Sequence, residues 1–219
     1  DDDVDVALFR NDYERFCKEA PALLPEQLFL QNFQSDPAFP AIYSKLRNSE
    51  TTCIEESIAA LPINHGISID IFPLDGMPEE ESARMEHFQE LDKLRHQITI
   101  FSRFPHFRKN VFCVLRDTGI WLVNMCRSLP DAQKQLLDAA LQYPYDESKY
   151  VYSPGGAYGA KDIFPQSWFE GSVSLKFEGA MVEAPAEYEK YLRQLYGDYM
   201  QLPPEEERVS HHRFIAQYK

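Results

Sequence analysis

The sequence predicts an α+β or α/β fold with a mixed sheet, an inserted helical lobe and a C-terminal segment of loops and helix. Acidic, strand-like segments occupy residues 1–77, amphipathic helical patterns occupy 78–142, and residues 143–219 alternate loops with short apolar runs. Because no repeat or low-complexity linker separates these parts, we expect the 219 residues to form one integrated unit.

The first part predicts strands interrupted by one helix. An apolar stretch around Asp5 predicts the first strand, and a helix that begins near Asn11 should end before Pro21. The nearly continuous apolar run at 66–76 predicts a strand buried on both faces. Shorter strands between turn residues are predicted at 28–34, 42–47 and 51–54.

The helical lobe is predicted from apolar residues at helical spacing. Its first helix, at about 78–102, has an acidic start, and its third, at about 131–142, begins at a Pro-Asp pair. The second helix has one apolar face formed by Val111, Val114, Leu115, Leu122 and Met125.

The C-terminal part predicts a turn, two short strands and a last helix. The turn lies at 153–156, and the strands lie near 172–176 and 180–183. The helix at about 186–196 should end at Gly197, since glycine is common just beyond a helix C-terminus.

Composition and charge restrict the classes of function. A content of 44% hydrophobic residues predicts a globular protein, and a net charge of −13 argues against nucleic-acid binding or a polybasic membrane binder. No apolar run approaches the roughly 20 residues that cross a bilayer, and we expect neither a transmembrane segment nor a signal peptide. Four cysteines without a Cys-x-x-Cys pattern are typical of reduced thiols in a cytoplasmic protein.

Two aspartates at the start of the chain suggest a metal site. Asp3 and Asp5 are two residues apart, and in a strand they share a face and can hold one hard cation. Such a pair is typical of Mg²⁺-dependent phosphoryl or nucleotidyl transfer. The alternative is an acidic tail, disordered or capping a helix.

Asp70 is a lone carboxylate inside an apolar strand, where a charge is costly unless it is paired or bound to metal. If the two strands are neighbours, Asp3, Asp5 and Asp70 could hold one or two Mg²⁺ ions, or Asp70 could act as base on an acceptor hydroxyl. The alternative is a buried acid paired with an arginine or with backbone donors.

Four blocks along the chain form a recognisable set: the acidic run at 1–6, Asp-Tyr-Glu-Arg-Phe at 12–16, Gly-Ile-Ser-Ile-Asp-Ile-Phe-Pro-Leu-Asp-Gly at 66–76 and the segment at 195–204. Together these blocks resemble the LicD family, which is related to the fukutin proteins. The resemblance implies a nucleotidyltransferase-like fold. It also implies transfer of phosphocholine, or a related phospho-alcohol, from a CDP-activated donor such as CDP-choline to a sugar hydroxyl of a cell-surface glycan.

The resemblance also assigns residues. It implies Asp3 and Asp5 as the metal pair and Asp70 as the third carboxylate, with Mg²⁺ or Mn²⁺ as the ion. Asp1 and Asp2 match the same run but rank lower, because adjacent side chains cannot all face one ion. It further implies a Gly-rich strand-helix segment before Asp1, and a cytoplasmic location or a peripheral one at the inner membrane face.

Substrate contacts are predicted in a second family-like block, at 44–52. Lys45 and Arg47 share a strand face and could hold a diphosphate, with Arg47 ranked ahead of Lys45, and Thr51 belongs to the same block. The alternative is a solvated edge strand whose basic residues discourage pairing.

A quaternary ammonium such as choline needs aromatic faces and a carboxylate. The aromatic stretch offers Tyr152 for this role, together with Tyr143, Tyr145, Tyr150 and Tyr158, near Asp146 and Glu147. Tyrosines of short strands are alternatively core residues. Glu178, in a turn that also resembles the family, is either a hairpin acid or a ligand.

Two other functions remain open on the sequence. A nucleotidyltransferase would move NMP from an NTP and release pyrophosphate. A non-catalytic metal-binding module would use the same aspartates without turnover.

Overall fold

The computed structural model describes residues 4–101, 115, 118, 119, 128–201, 204, 208 and 214–218. Within them, a six-stranded mixed sheet forms the centre of the molecule. Its strands are β1 (Asp5–Phe9), β2 (Leu28–Gln31), β3 (Ser44–Asn48), β5 (Ile67–Met77), β6 (Tyr150–Tyr152) and β7 (Phe164–Pro165). Separate antiparallel pairs are formed by β4 (Thr51–Glu55) with β10 (Phe214–Tyr218) and by β8 (Ser172–Phe177) with β9 (Ala180–Pro185). The predicted mixture of sheet and helix is confirmed.

Strand β5 organises the sheet. It pairs in parallel with β1 and antiparallel with β3 and β6. The prediction that β5 is buried on both faces is wrong for its first half, where Ile67 and Ile69 are each 40% exposed. The reason is that the hydrophobic core clusters that include β5 residues begin only at Ile71.

Local sequence explains where the helices begin and end. The described helices are α1 (Arg10–Glu19), α2 (Glu81–Phe101), α3 (Leu129–Ala140) and α4 (Tyr188–Tyr196). The Glu80 carboxylate accepts hydrogen bonds from the backbone N–H of Ser82 and Ala83 and so caps α2. Helix α4 ends at Gly197, whose φ of 70° confirms the predicted glycine terminus. The predicted helix with its face from Val111 to Met125 lies outside the described residues, apart from isolated positions.

The helices cover both faces of β5. Helix α1 packs through Tyr13 against Ile71, whereas α4 packs through Leu195 against Leu74. Because Ile71 and Leu74 are an odd number of residues apart, these contacts are on opposite faces of the strand. Helices α2 and α3 join a third cluster around Met77.

No helix within the described part of the chain combines the length and the apolar character that a membrane span requires.

Candidate active site

Three charged residues form a row across the sheet. On β5, Asp70 is the register partner of Asp5 on the parallel strand β1 and of Lys45 on the antiparallel strand β3. Register partners present their side chains on the same face of a sheet. The two predicted carboxylates are therefore neighbours, as the metal-site prediction requires, with a cation beside them.

Lys45 links two carboxylates. Its Nζ donates to Asp70 Oδ1 at 2.9 Å and to Glu55 Oε1 at 3.4 Å, and the Lys45 side chain is only 9% exposed. Burial alone would lower the pKa of Lys45, but Tyr43, Asp70 and Glu55 reverse this and raise it. Burial raises the pKa of Asp70, although Lys45 opposes the shift. The ammonium thus partly offsets the cost of a carboxylate in this strand.

Glu55 is a site residue that the sequence reasoning missed. It lies at the end of β4, outside the central sheet, and its carboxylate is also 3.9 Å from Arg47 Nη2. Alternation along β4 puts Glu55 on the same face as Thr51, which was a predicted site residue. This spacing was the signal in the sequence that could have identified Glu55. Nothing in the sequence alone, however, places β4 beside Lys45.

Arg47 is buried and mostly committed to the fold. It is 0% exposed, its Nε donates to Gln31 Oε1 at 2.7 Å, and its Nη1 donates to the Gly66 carbonyl at 2.7 Å. Its Nη2 has no hydrogen-bond partner among the described residues and is aimed at Glu55. Both cations are therefore buried, but they differ in their partners: the Lys45 ammonium faces the two carboxylates of the site, whereas Arg47 has only Nη2 left on that side.

The surroundings of Thr51 and Glu178 indicate roles in the fold. The Thr51 hydroxyl donates to the Asn48 carbonyl at 2.7 Å and accepts from the Ile67 N–H at 2.8 Å, so it ties β4 to β5. Glu178 lies in the exposed turn between β8 and β9 with φ of 46°, next to Gly179 at 86°. This is the hairpin position that the sequence left as one of two alternatives.

The loop at 153–156, which contains Gly155, packs beside the row on the same face of the sheet. The ring of Tyr43 packs on Phe72 at 4.7 Å between centroids and lies 5.8 Å from Lys45 Nζ. A Cβ at Gly155 would be 2.7 Å from the Phe72 ring and 2.8 Å from the Tyr43 ring. Only glycine lets the loop approach these rings so closely.

The predicted group of tyrosines is divided. Tyr152 is 0% exposed in the core against Phe88, and its hydroxyl has no partner among the described residues. Tyr143 and Tyr145 line a cavity of about 190 Å³ with Arg10 and Asp75. Arg10 and Asp75 follow Asp5 and Asp70 by five residues along the chain, which is about 16 Å at roughly 3.3 Å per strand residue.

An ion pair fixes β1 against β5. Arg10 Nε and Nη2 donate to the two carboxylate oxygens of Asp75 at 2.6 and 2.7 Å, and both residues are buried. The pair is separated by 65 positions in sequence, the same offset that joins Asp5 to Asp70. The ion pair therefore continues the ladder, and a slipped register would break it.

A divalent cation fits the carboxylate pair. Asp3, the third predicted ligand, lies outside the described residues, and within them no three acidic, histidine or cysteine side chains form a metal-binding group. Mg²⁺ commonly takes only one or two protein carboxylates and completes its shell with water and substrate phosphates. Asp5 and Asp70 supply this minimum with the oxygen chemistry that the ion prefers.

Comparison with known proteins agrees with the motif resemblance. The chain is 25% identical to the lipopolysaccharide cholinephosphotransferase LicD of Haemophilus influenzae, in an alignment of 217 residues that covers 97% of this chain and 78% of the relative. No family model matches the chain. No solved structure matches it either, and the nucleotidyltransferase-like fold stays a prediction.

Proposed function

We propose that this chain, which belongs to the LicD family by its motifs and by similarity along 97% of its length, transfers phosphocholine from CDP-choline to a sugar hydroxyl of a cell-surface glycan. In this reaction the acceptor oxygen bonds to the phosphorus that carries choline. The bond from that phosphorus to the bridging oxygen breaks, CMP leaves with that oxygen, and the acceptor hydroxyl releases its proton to water. The name of the relative supports phosphocholine as the transferred group and lipopolysaccharide as the type of acceptor.

The row of Asp5, Asp70 and Lys45 carries this proposal. A phosphoanhydride donor brings negative charge that must be balanced where the bond to phosphorus breaks. Asp5 and Asp70 would hold Mg²⁺ or Mn²⁺, and the ion would neutralise the phosphate oxygens when bound.

The chain's own cations would act on the diphosphate. Lys45 can exchange its 2.9 Å contact with Asp70 for a phosphate oxygen, because an ammonium makes several hydrogen bonds on a flexible stem. Arg47 can add its Nη2, which lies 3.9 Å from Glu55 and has no hydrogen-bond partner among the described residues. Glu55 would keep Lys45 directed into the site through their 3.4 Å contact.

The test is release of CMP from CDP-choline by the purified protein, with a glycan acceptor and Mg²⁺ or Mn²⁺. We expect Asp5→Asn and Asp70→Asn to reduce turnover by about 10²–10³-fold, the usual effect of losing one preorganised charged group. The matched control is Asp12→Asn, since Asp12 is exposed and its ion pair within the described part of the chain is with Arg15 on α1. Normal turnover in the Asp70→Asn enzyme would refute the proposed site.

The products separate this activity from its alternatives. Release of pyrophosphate from an NTP would favour a nucleotidyltransferase. Metal binding without product from any CDP-alcohol or NTP would favour a binding module.

A further inference from the structure

Two exposed tyrosines form a corner beside the carboxylate row. We propose that Tyr158 and Tyr196 bind the quaternary ammonium group of the donor; this inference rests on the proposed function and names the part of the site that recognises choline. The rings meet edge to face, with centroids 5.4 Å apart and planes at 84°. Two rings at right angles present two walls to one cation, which is the arrangement that favours cation–π attraction.

The corner is preformed although its rings are exposed. Each of the two tyrosines is 46% exposed. The Tyr158 backbone is fixed because its N–H donates to Asp162 Oδ2 at 2.7 Å. Helix α4, which carries Tyr196, is fixed to the same loop because Gln194 Nε2 donates to the carbonyls of Lys161 at 2.6 Å and Ile163 at 2.8 Å. A ligand would not have to order these rings, and this lowers the cost of binding.

Two carboxylates lie near the corner. Asp162 is buried beneath Tyr158, and Asp5 is close enough to act on two tyrosines of α4. Burial raises the pKa of Tyr191 to about 12, and Asp162 and Asp5 add to the shift. Burial likewise raises the pKa of Tyr196, with contributions from Tyr158, Tyr191 and Asp5. Asp162 and Asp5 thus place negative charge near the corner, and this charge would attract a cation.

The corner lies on the same face of the sheet as the carboxylate row. Helix α4 packs on the face of β1 and β5 that carries Asp5 and Asp70. The choline nitrogen is a few bonds from its phosphorus, so its site must lie next to the metal pair. The cavity at Tyr143 and Tyr145 is at Asp75, which is an odd number of residues from Asp70 and therefore on the opposite face of β5. It cannot take the choline of a donor held at Asp5 and Asp70.

The test compares CDP-choline with its uncharged carbon isostere, the CDP ester of 3,3-dimethylbutanol, by calorimetry in the presence of Mg²⁺. We expect the wild-type protein to bind CDP-choline about two- to thirty-fold more tightly than the isostere, which is the range of cation–π attraction. Tyr196→Ala and Tyr158→Ala should abolish this preference and leave the affinity for CDP unchanged. Tyr196→Phe should retain the preference, because the ring face remains.

Tyr143→Ala is the matched control and should bind both esters as the wild type does. A preference that survives in both alanine variants would overturn the inference while the proposed transfer stands. A wild-type protein that binds CDP but treats the two esters alike would overturn it as well. Failure of the proposed function is seen separately, as absence of CMP release from CDP-choline by the wild-type protein.

Discussion

Asp70 shows how one costly residue can indicate a site. A carboxylate in a mainly apolar strand needs compensation, and the structure supplies it through the Lys45 ammonium at 2.9 Å. One of the alternatives considered from the sequence was pairing with an arginine or backbone donors, but the partner is a lysine on the neighbouring strand. Lys45 is on β3 and Asp5 is on β1, so the two lie on opposite sides of Asp70. The ion pair with Lys45 therefore leaves Asp5 and Asp70 as neighbours that could share a metal ion.

The buried side chain of His87 leads to a prediction about how stability depends on pH. His87 on α2 is 4% exposed, its ring packs edge-on to Tyr143, and its Nε2 has no hydrogen-bond partner among the described residues. Burial lowers the pKa of His87, although Glu90 opposes the shift. The unfolded chain, with an ordinary histidine pKa near about 6.5, therefore binds a proton at a pH where the folded protein does not.

Stability should accordingly fall as the pH drops below about 6.5 and stop falling once the folded-state pKa is passed. We expect His87→Gln to flatten this part of the curve of unfolding free energy against pH, measured by urea denaturation. The control is His96→Gln, because the His96 side chain on the same helix is 62% exposed. An unchanged slope in His87→Gln would contradict the prediction.

At the scale of elements, the pairing of β1 with β5 decides the site. A shift of the pairing register by one residue would move Asp5 to the opposite face from Asp70, since side chains alternate along a strand. The Arg10–Asp75 ion pair prevents this shift because it continues the same register beyond the last strand pair.

Breaking this ion pair should be costly. Asp75→Ala leaves a buried guanidinium without its partner, and we expect a loss of about 3–5 kcal/mol in unfolding free energy, measured by urea denaturation. The double variant Arg10→Met, Asp75→Leu should recover most of the loss, since an apolar pair of similar volume removes both charges. If the losses of the single variants Arg10→Met and Asp75→Leu add up to the loss of the double variant, the two side chains do not act together.

Local patterns predicted many of the elements. Helical spacing located α2, and the apolar run located β5 within a few residues. Strand β10 was missed although its residues 214–218 are mostly apolar and aromatic, because the run is short and its partner β4 lies far away in the sequence. The exposed start of β5 was also missed, since burial depends on which helices cover a strand and not on the strand's own composition.

Contacts between distant segments explain what the site prediction lacked. The sequence reasoning named Asp5, Asp70 and Lys45, but their row depends on strand pairings that join residues up to 65 positions apart. Glu55 entered the site by packing of a separate strand pair, and Arg47 turned inward to Gln31 and Gly66. Asp3 lies outside the described residues, and its role stays a prediction.

At the scale of the whole molecule, charge makes metal and nucleotide depend on each other. The chain has a net charge of −13, which repels a free nucleotide diphosphate and attracts divalent cations. We expect CDP to bind weakly in EDTA and about 5–150-fold more tightly with Mn²⁺, the usual range for coupled ligands. By linkage, CDP should tighten Mn²⁺ binding by the same factor.

Calorimetry measures the affinity for CDP with and without Mn²⁺. Electron paramagnetic resonance measures the affinity for Mn²⁺ with and without CDP. Asp70→Asn should reduce both effects, and Asp12→Asn should leave both unchanged. Equal affinity for CDP in EDTA and in Mn²⁺ would contradict the expectation.

The most direct test of a metal-dependent site at Asp5 and Asp70 is a crystal structure of the protein with Mn²⁺ and CDP-choline. We predict an anomalous difference peak at about 2.1 Å from carboxylate oxygens of both Asp5 and Asp70, the distance typical of Mg²⁺-type ligation. The diphosphate should contact the metal and Lys45 Nζ. A bound nucleotide with Mn²⁺ elsewhere, or with both carboxylates free of metal, would contradict the account.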